Sequence, residues 1–425
     1  GDRALLPPSA SAPYYAYYDP LVGSLYQYPQ AQPPANPNFP SDTNVAPQEA
    51  FGATSRTNDH QFHYGYFVHA AAQIAIRDPK WGAQWRDAIN QFVFDAANTP
   101  EINPKPIFAF PRMRSWDAYM NHSYSAGLSW PDLYGNNEES ISEELNFWAG
   151  TSLWGAVSGQ EAISQHGLAH FAAAVHSSYM YWFDIAGNKR ALGGVVEGAA
   201  LRWPGGQGAA IVTDGHTGLN TFFNAHPTAA RVIIVLPVGP HSWYLAMNPT
   251  FTAKSVADYR EFLKDYDIDP LDPAIGKDHN GGPFSVKNPW LNTLGYASQL
   301  AKWMAMVDPA DAISALFPAP NNRDVVYNEG DGDNTIPIDM LTDEGDSAAL
   351  VYHMTRYMQT HGTPNLWVKA SNAPFSMVFD DAARKRRTYV GFNPTAAALD
   401  ITFNDGTVIS RVPPLSVGTN ERALP

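Results

Sequence analysis

Cysteine is missing altogether from this sequence of 425 residues, which rules out disulfide staples and thiolate metal sites and leaves the redox compartment unread. Charge is scarce: 16% of residues are charged, against roughly 25% in an ordinary globular domain. Positive charge is scarcer, with 27 Lys and Arg against 41 Asp and Glu and a formal net charge of −14. Such a balance repels phosphate backbones and anionic lipid headgroups, so neither nucleic acid nor a membrane is expected as a partner. No apolar run approaches the ~20 residues of a membrane span; the greasiest stretch, RVIIVLPV from Arg231 to Val238, is short and interrupted. The G-x-S-x-G elbow of serine hydrolases is absent. The Gly-rich stretch Trp203-Pro204-Gly205-Gly206-Gln207-Gly208 lacks the Lys-Ser/Thr of a phosphate loop. Serine-nucleophile chemistry and nucleotide binding are therefore unsupported.

Aromatic residues are what the chain has in excess, at 13%, with 12 Trp, 21 Tyr and 21 Phe. Sugar rings expose flat C–H faces that pack on aromatic rings, so the excess is compatible with carbohydrate binding, although most of these rings must be core. The length suffices for a large single core or for two domains.

The pattern changes twice along the chain. Residues 1–57 are rich in Pro, Tyr, Ser, Asn and Ala without helical periodicity and read as an extended segment wrapping over the rest. From His60 onward, helices are predicted at roughly 60–77, 80–97, 138–157, 160–186, 221–231, 252–264, 291–307, 309–316 and 344–361, paired across short Pro, Gly or Asp breaks. Helix pairs without alternating strands fit a helical toroid better than a βαβ sheet. From about Asn365 the residues alternate and carry turn signals, which reads as a small antiparallel β element.

Two segments concentrate candidate chemistry. In NEESISEELNFWAG (137–150), a helix would put Glu139, Glu143, Asn146 and Gly150 on one face and Ile141, Leu145 and Trp148 on the other. Carboxylates at i and i+4 beside an amide can hold a water for general base catalysis; a solvated acidic face complementing the helix dipole is the plainer reading. In TNDHQFHYGY (57–66), Asp59, His63 and Tyr66 would line one helix face, with Asn58 or Asp59 as an ordinary cap and His63 and Tyr66 as core groups on the plainer reading. His60 and His63 lack the Glu and the i, i+4 spacing of a zinc-hydrolase helix. Glu329-Gly330-Asp331-Gly332-Asp333-Asn334 superficially resembles a calcium loop, but the twelfth position counted from Asp331 is Thr342, so it reads as a polar turn. No metal or other cofactor is expected.

Asn58 to Phe67 (NDHQFHYGYF) resembles the N-D-H-H-F-H-Y-G-Y-F signature of glycoside hydrolase family 81, differing at Gln61. Arg114-Ser115-Trp116-Asp117-Ala118-Tyr119 and His122-Ser123-Tyr124-Ser125-Ala126-Gly127-Leu128 resemble the family's R-S-x-D-x-Y and G-H-S-W-A-S-G-L stretches, with Asn121 and Tyr124 as departures. Asn137 to Glu143 resembles N-Q-E-S-S-S-E, departing at Glu138 and Ile141, and Leu236-Pro237 with Ser242 and Thr388-Tyr389-Val390 with Asn393-Pro394 match later landmarks. The resemblance implies an (α/α)6 barrel over 58–364, with 1–57 as its wrapping segment and 365–425 as a β element packed on it, and without the family's N-terminal β-sandwich. It implies an inverting endo-β-1,3-glucanase needing no cofactor. Asp59 would be the general acid and Glu139 the base, with Glu143 assisting or serving as base itself. His63, Tyr66, Asp117, Tyr119, His122 and Asn146 would contact the sugar. A secreted, monomeric enzyme acting on a polysaccharide is the resulting expectation, with any export signal outside this chain. One tension accompanies it: a general acid needs a raised pKa, whereas a helix N-terminus lowers it.

Overall fold

The structure is a computed structural model, and it describes residues 16–27, 29–30, 46–47, 52–53, 56–126, 135–185, 196–197, 209–213, 217–218, 221, 231–265, 297–316 and 348–425. They are mostly helical, with several small sheets. The chain divides into two compact units, the first formed by 1–178 with 212–216 and the second by 179–211 with 217–425.

In the first unit, β1 (Ala16–Asp19) and β2 (Ser24–Gln27) form an antiparallel hairpin, in register from Ala16 opposite Gln27 to Asp19 opposite Ser24. Its turn closes on Gly23, at φ 67, where a side chain would strike the Ala109 carbonyl. That backbone conformation costs any other residue energy. Helices α1 (His60–Arg77) and α2 (Pro79–Ala97) follow almost without a break. Asp78 ends the first and caps the second, its carboxylate accepting from the Lys80 and Trp81 N–H groups, and Pro79 stands where its missing N–H costs nothing. The buried side of α1, through Gln61, Tyr64, Gly65, Val68, Ala72 and Ala75, follows the helical period.

Helix α3 (Ile141–Val157) is buried on nearly every side and packs against both α1 and α4 (Glu161–Ser177). Glycines set the spacing. An added Cβ on Gly65 would lie 3.0 Å from the Phe147 backbone, and one on Gly150 3.0 Å from that of His69. Across the other face, Gly155 meets the Ser164 backbone and Gly167 that of Ser152. Two sequence expectations need correction here. Helix 138–157 starts at Ile141, because Asn137–Glu138 (β5) pairs antiparallel with Val212 and Thr213 of β6 (Ile211–Thr213), and strand pairing overrides the helical preference of those residues. Helix 160–186 ends as an α-helix at Ser177 and continues only as a π-helical turn, Ser178–Trp182. The first unit also holds a short hairpin of β3 (Trp116–Asp117) and β4 (His122–Ser123).

In the second unit, the apolar stretch Val232 to Val235 is buried, and Val238 donates its N–H to Gln299 Oε1 at 2.8 Å. Helices α5 (Pro249–Asp265), α6 (Ala297–Ala305), α7 (Pro309–Leu316) and α8 (Ala348–His361) match expected ones in part. The expected helix 221–231 and the segments 203–208 and 329–334 lie outside the described residues, apart from Thr221 and Arg231. The C-terminal β element is as the alternation predicted. Strands β7 (Thr363–Pro364), β8 (Ser376–Asp381), β9 (Arg386–Asn393) and β12 (Ser416–Ala423) form one antiparallel sheet in that order. A hairpin of β10 (Leu399–Thr402) and β11 (Val408–Val412) packs on it over Val378, Tyr389, Ile401, Phe403 and Ile409.

Candidate active site

Asp59 occupies the N-cap position of α1, but its side chain makes no capping hydrogen bond. Its backbone is left-handed, at φ 59 and ψ 20, a region that Asp enters at some cost and that recurs at functional sites. The backbone holds it there from both sides: its N–H donates to the Ser125 carbonyl at 2.8 Å, and its carbonyl accepts from the His63 N–H at 3.0 Å. The carboxyl is pushed well above the ordinary aspartate range, first by burial and then by the negative charges of Glu139 and Glu143.

Ser125 is the joint between the two carboxylate-bearing segments. Its N–H donates to the Asn137 carbonyl at 2.6 Å, its hydroxyl donates to Asn137 Oδ1 at 3.1 Å, and the same hydroxyl accepts from the Glu139 N–H at 3.3 Å. Asn58 and Ala126 add a β-bridge beside it. Sequence reading passed over Ser125 as a site residue. Its place inside the His122–Leu128 motif was the available signal.

Glu139 is thus not on the helix face expected of it. It lies between β5 and the α3 N-cap Ser140, so the i, i+4 relation with Glu143 does not exist as helix geometry. Tertiary pairing nonetheless keeps both charges close enough to act on Asp59. Glu143 sits in the first turn of α3 and accepts from the Tyr66 hydroxyl at 2.8 Å, linking α1 to α3 above their glycine contact. His63 is partly buried, and burial together with the neighbouring His60 lowers its pKa to about 4, which leaves it neutral near pH 7. Asn146 is buried between α1 and α3, where its Oδ1 accepts from His69 Nδ1 at 2.8 Å.

The β3–β4 hairpin carries three further expected residues to different places. Asp117 Oδ1 accepts from the Tyr119 N–H at 2.7 Å and the Met120 N–H at 3.0 Å, which closes the turn and leaves Tyr119 87% exposed at its tip. His122 is fully buried, with Nδ1 donating to the Ser123 carbonyl at 2.7 Å. Below it, both oxygens of buried Glu144 accept from the Ser123 N–H at 3.0 Å and Oε1 accepts from Trp148 Nε1 at 2.7 Å. Burial outweighs these bonds and lifts Glu144 to about 7. A cavity of about 410 Å³ is lined by Arg114, Trp116, Asp117, Tyr124 and Asn136, among others. Gln61 shapes this wall by donating to the Tyr124 carbonyl at 2.7 Å.

A buried network that sequence reading missed holds the start of α1. Asp95 Oδ2 lies 2.7 Å from His60 Nδ1, while its Oδ1 accepts from the Leu25 N–H at 2.8 Å and the Ser24 hydroxyl at 3.1 Å. Arg114 Nη2 approaches the same oxygen at 3.4 Å. His60, set aside as a metal ligand from its spacing, is a structural anchor one residue from Asp59, with Nε2 on the Ala53 carbonyl at 2.8 Å. Among the described residues no His, Asp and Glu group is arranged to hold a metal ion, and no helix is long and apolar enough to cross a membrane.

Comparison with known proteins is consistent with this arrangement. Residues 41–268 match the family model for the glycosyl hydrolase family 81 C-terminal domain. A glucan endo-1,3-beta-D-glucosidase of Acetivibrio thermocellus is 28% identical over 414 residues, 96% of this chain and 43% of that protein. One from Thermobifida fusca is 28% identical over 380 residues, 89% of this chain and 42% of that protein. A solved family 81 glycoside hydrolase from Clostridium thermocellum superposes with a TM-score of 0.69 at 27% identity, covering 96% of this chain and 46% of that one. The chain therefore spans less than half the length of the relatives it matches. With the family domain matched over more than half of its residues, the chain belongs to glycosyl hydrolase family 81.

Proposed function

We propose that this chain is the catalytic part of an endo-acting β-1,3-glucan hydrolase that inverts the anomeric carbon. The observation that carries the reading is the state of Asp59. Burial and two neighbouring carboxylates favour its protonated form, while Glu139 and Glu143 supply the negative charge a base requires. Asp59 donates its proton to the glycosidic oxygen as the C1–O bond breaks. Glu139 takes a proton from a water whose oxygen bonds to C1 from the opposite face, and Glu143, oriented by Tyr66, positions that water. The step consumes one water and needs neither metal nor other cofactor. Inversion demands carboxyl groups about 6.5–9.5 Å apart, so that water fits between sugar and base.

His63, Tyr66, Asp117, Tyr119, His122 and Asn146 are assigned to the glucan site, Asp117 through the cavity wall it forms. The helix pairs are assigned to an (α/α)6 barrel spanning 58–364, with 1–57 wrapped on it and 365–425 as its β element. The names of the relatives support a polysaccharide substrate, and a secreted, monomeric enzyme is assigned with it as part of the reading. The test is incubation with linear β-1,3-glucan, with proton NMR of the first products. Oligosaccharides released initially as α anomers, unaffected by chelator, support the reading. Initial β anomers sink the mechanism, and no release from any β-1,3-glucan sinks the substrate.

A further inference from the structure

Among the described residues, Glu138 is the carboxyl in the fold with the least support. It ends β5, and burial alternates along the segment: Asn137 before it and Glu139 after the strand are partly exposed, and Glu138 between them is fully buried. Its side chain therefore faces the interior, whereas that of Glu139 reaches the surface in part. Neither of its side-chain oxygens has a hydrogen-bond partner. Its charged surroundings are carboxyls from the adjoining segments: Glu144 and Glu143 from α3, Asp59 from the turn before α1, and Glu139, which follows it in the chain.

A buried carboxylate ion with no partner and like charges around it is untenable, whereas the neutral acid costs only an unmet polar group. Comparison with Glu144 decides where a proton goes. Glu144 accepts N–H donors on both oxygens, from Ser123 and Trp148, which suits an ionised group, while Glu138 receives none. Burial and these neighbours act in the same direction on Glu138, favouring its protonated form.

We propose that Glu138 is un-ionised in the folded protein and so withholds a further negative charge from the carboxylates around Asp59. Its bearing on catalysis presumes the reading of Glu139 as base. An ionised Glu138 would add a negative charge beside Glu139 and raise its proton affinity; a neutral one adds none.

Glu138→Gln, the uncharged isostere, tests this. Expected are kcat and KM on linear β-1,3-glucan within about 2-fold of the parent, since a hydrogen-bond deletion without charge change is small. The infrared difference between parent and variant at pH 7 should show the carbonyl band of a protonated acid. The thermal midpoint of the variant should fall less between pH 5 and 8 than that of the parent, because one group with a raised pKa is gone. Carboxylate bands in the difference spectrum, an unchanged pH slope, or a kcat loss of more than about 10-fold in a folded variant overturns the proposal. The infrared and thermal readouts require no turnover, so they decide the state of Glu138 even if the parent proves inactive on glucan.

Discussion

Asp59 shows how much one residue depends on its neighbours. Its left-handed backbone, held by Ser125 and His63, frees the carboxyl from capping. Replacing Asp59 with Asn should lower turnover on natural glucan by roughly 10² to 10⁴-fold, the range for loss of a general acid. A substrate with an activated leaving group should suffer less. Full retention of activity in Asp59→Asn would return it to the role of a helix-start residue. Because burial, and then Glu139 and Glu143, raise the Asp59 pKa, the carboxyl stays protonated above the usual carboxyl range, and activity is expected to fall as pH rises through that raised value. Removing one charge in Glu143→Gln should move the alkaline limb of the residual kcat/KM profile to lower pH. A limb that stays in place separates Glu143 from Asp59 electrically. At this scale Asp59, Glu139 and Glu143 were legible in the sequence as candidates for the proposed site. Ser125, Glu138 and Asp95 were not, because their importance lies in burial and in contacts between distant segments.

Among the elements, α1, α3 and α4 form the scaffold on which the segments of Asp59 and Glu139 are held. Gly155 is the most crowded of their glycines, since an added Cβ would fall 2.3 Å from the Ser164 backbone nitrogen. Gly155→Ala gains up to about 1 kcal/mol in helix propensity but must push α3 from α4, an overpacking cost of typically 1–3 kcal/mol or more. Net destabilisation in urea unfolding is expected, and an unchanged or higher midpoint would mean that the helices yield freely. Helix α1 was readable to the residue from its apolar period. The start of α3 was not, since residues 137 and 138 are claimed by a strand more than seventy positions away, and short windows of sequence carry no record of such pairing.

Across the whole molecule, buried carboxyls set the dependence of stability on pH. Asp59, Glu138 and Glu144 all have raised values in the folded state, Glu144 at about 7. Folding then binds protons, so their contribution is complete below the unfolded carboxyl range, near pH 4, and is lost as pH rises through the folded values. Asp95 acts oppositely: His60 and Arg114 depress it against the effect of burial, so its contribution is present above that range and is lost in strong acid. In mild acid the depressed His63 and His166, which must charge on unfolding, oppose this trend, so a thermal midpoint declining from about pH 7 towards 8 is expected by calorimetry; a midpoint rising steadily to pH 8 contradicts the buried-acid account. Composition and motif order were enough to determine a chain of helix pairs with a β tail and the family, because periodicity and rare residue strings are local properties. Only the tertiary structure decided that Glu139 lies between β5 and α3 rather than on a helix face and that Ser125 joins its segment to that of Asp59. It also decided that Asp59 is held towards its neutral form, because desolvation and charge proximity depend on atoms brought together from remote parts of the chain.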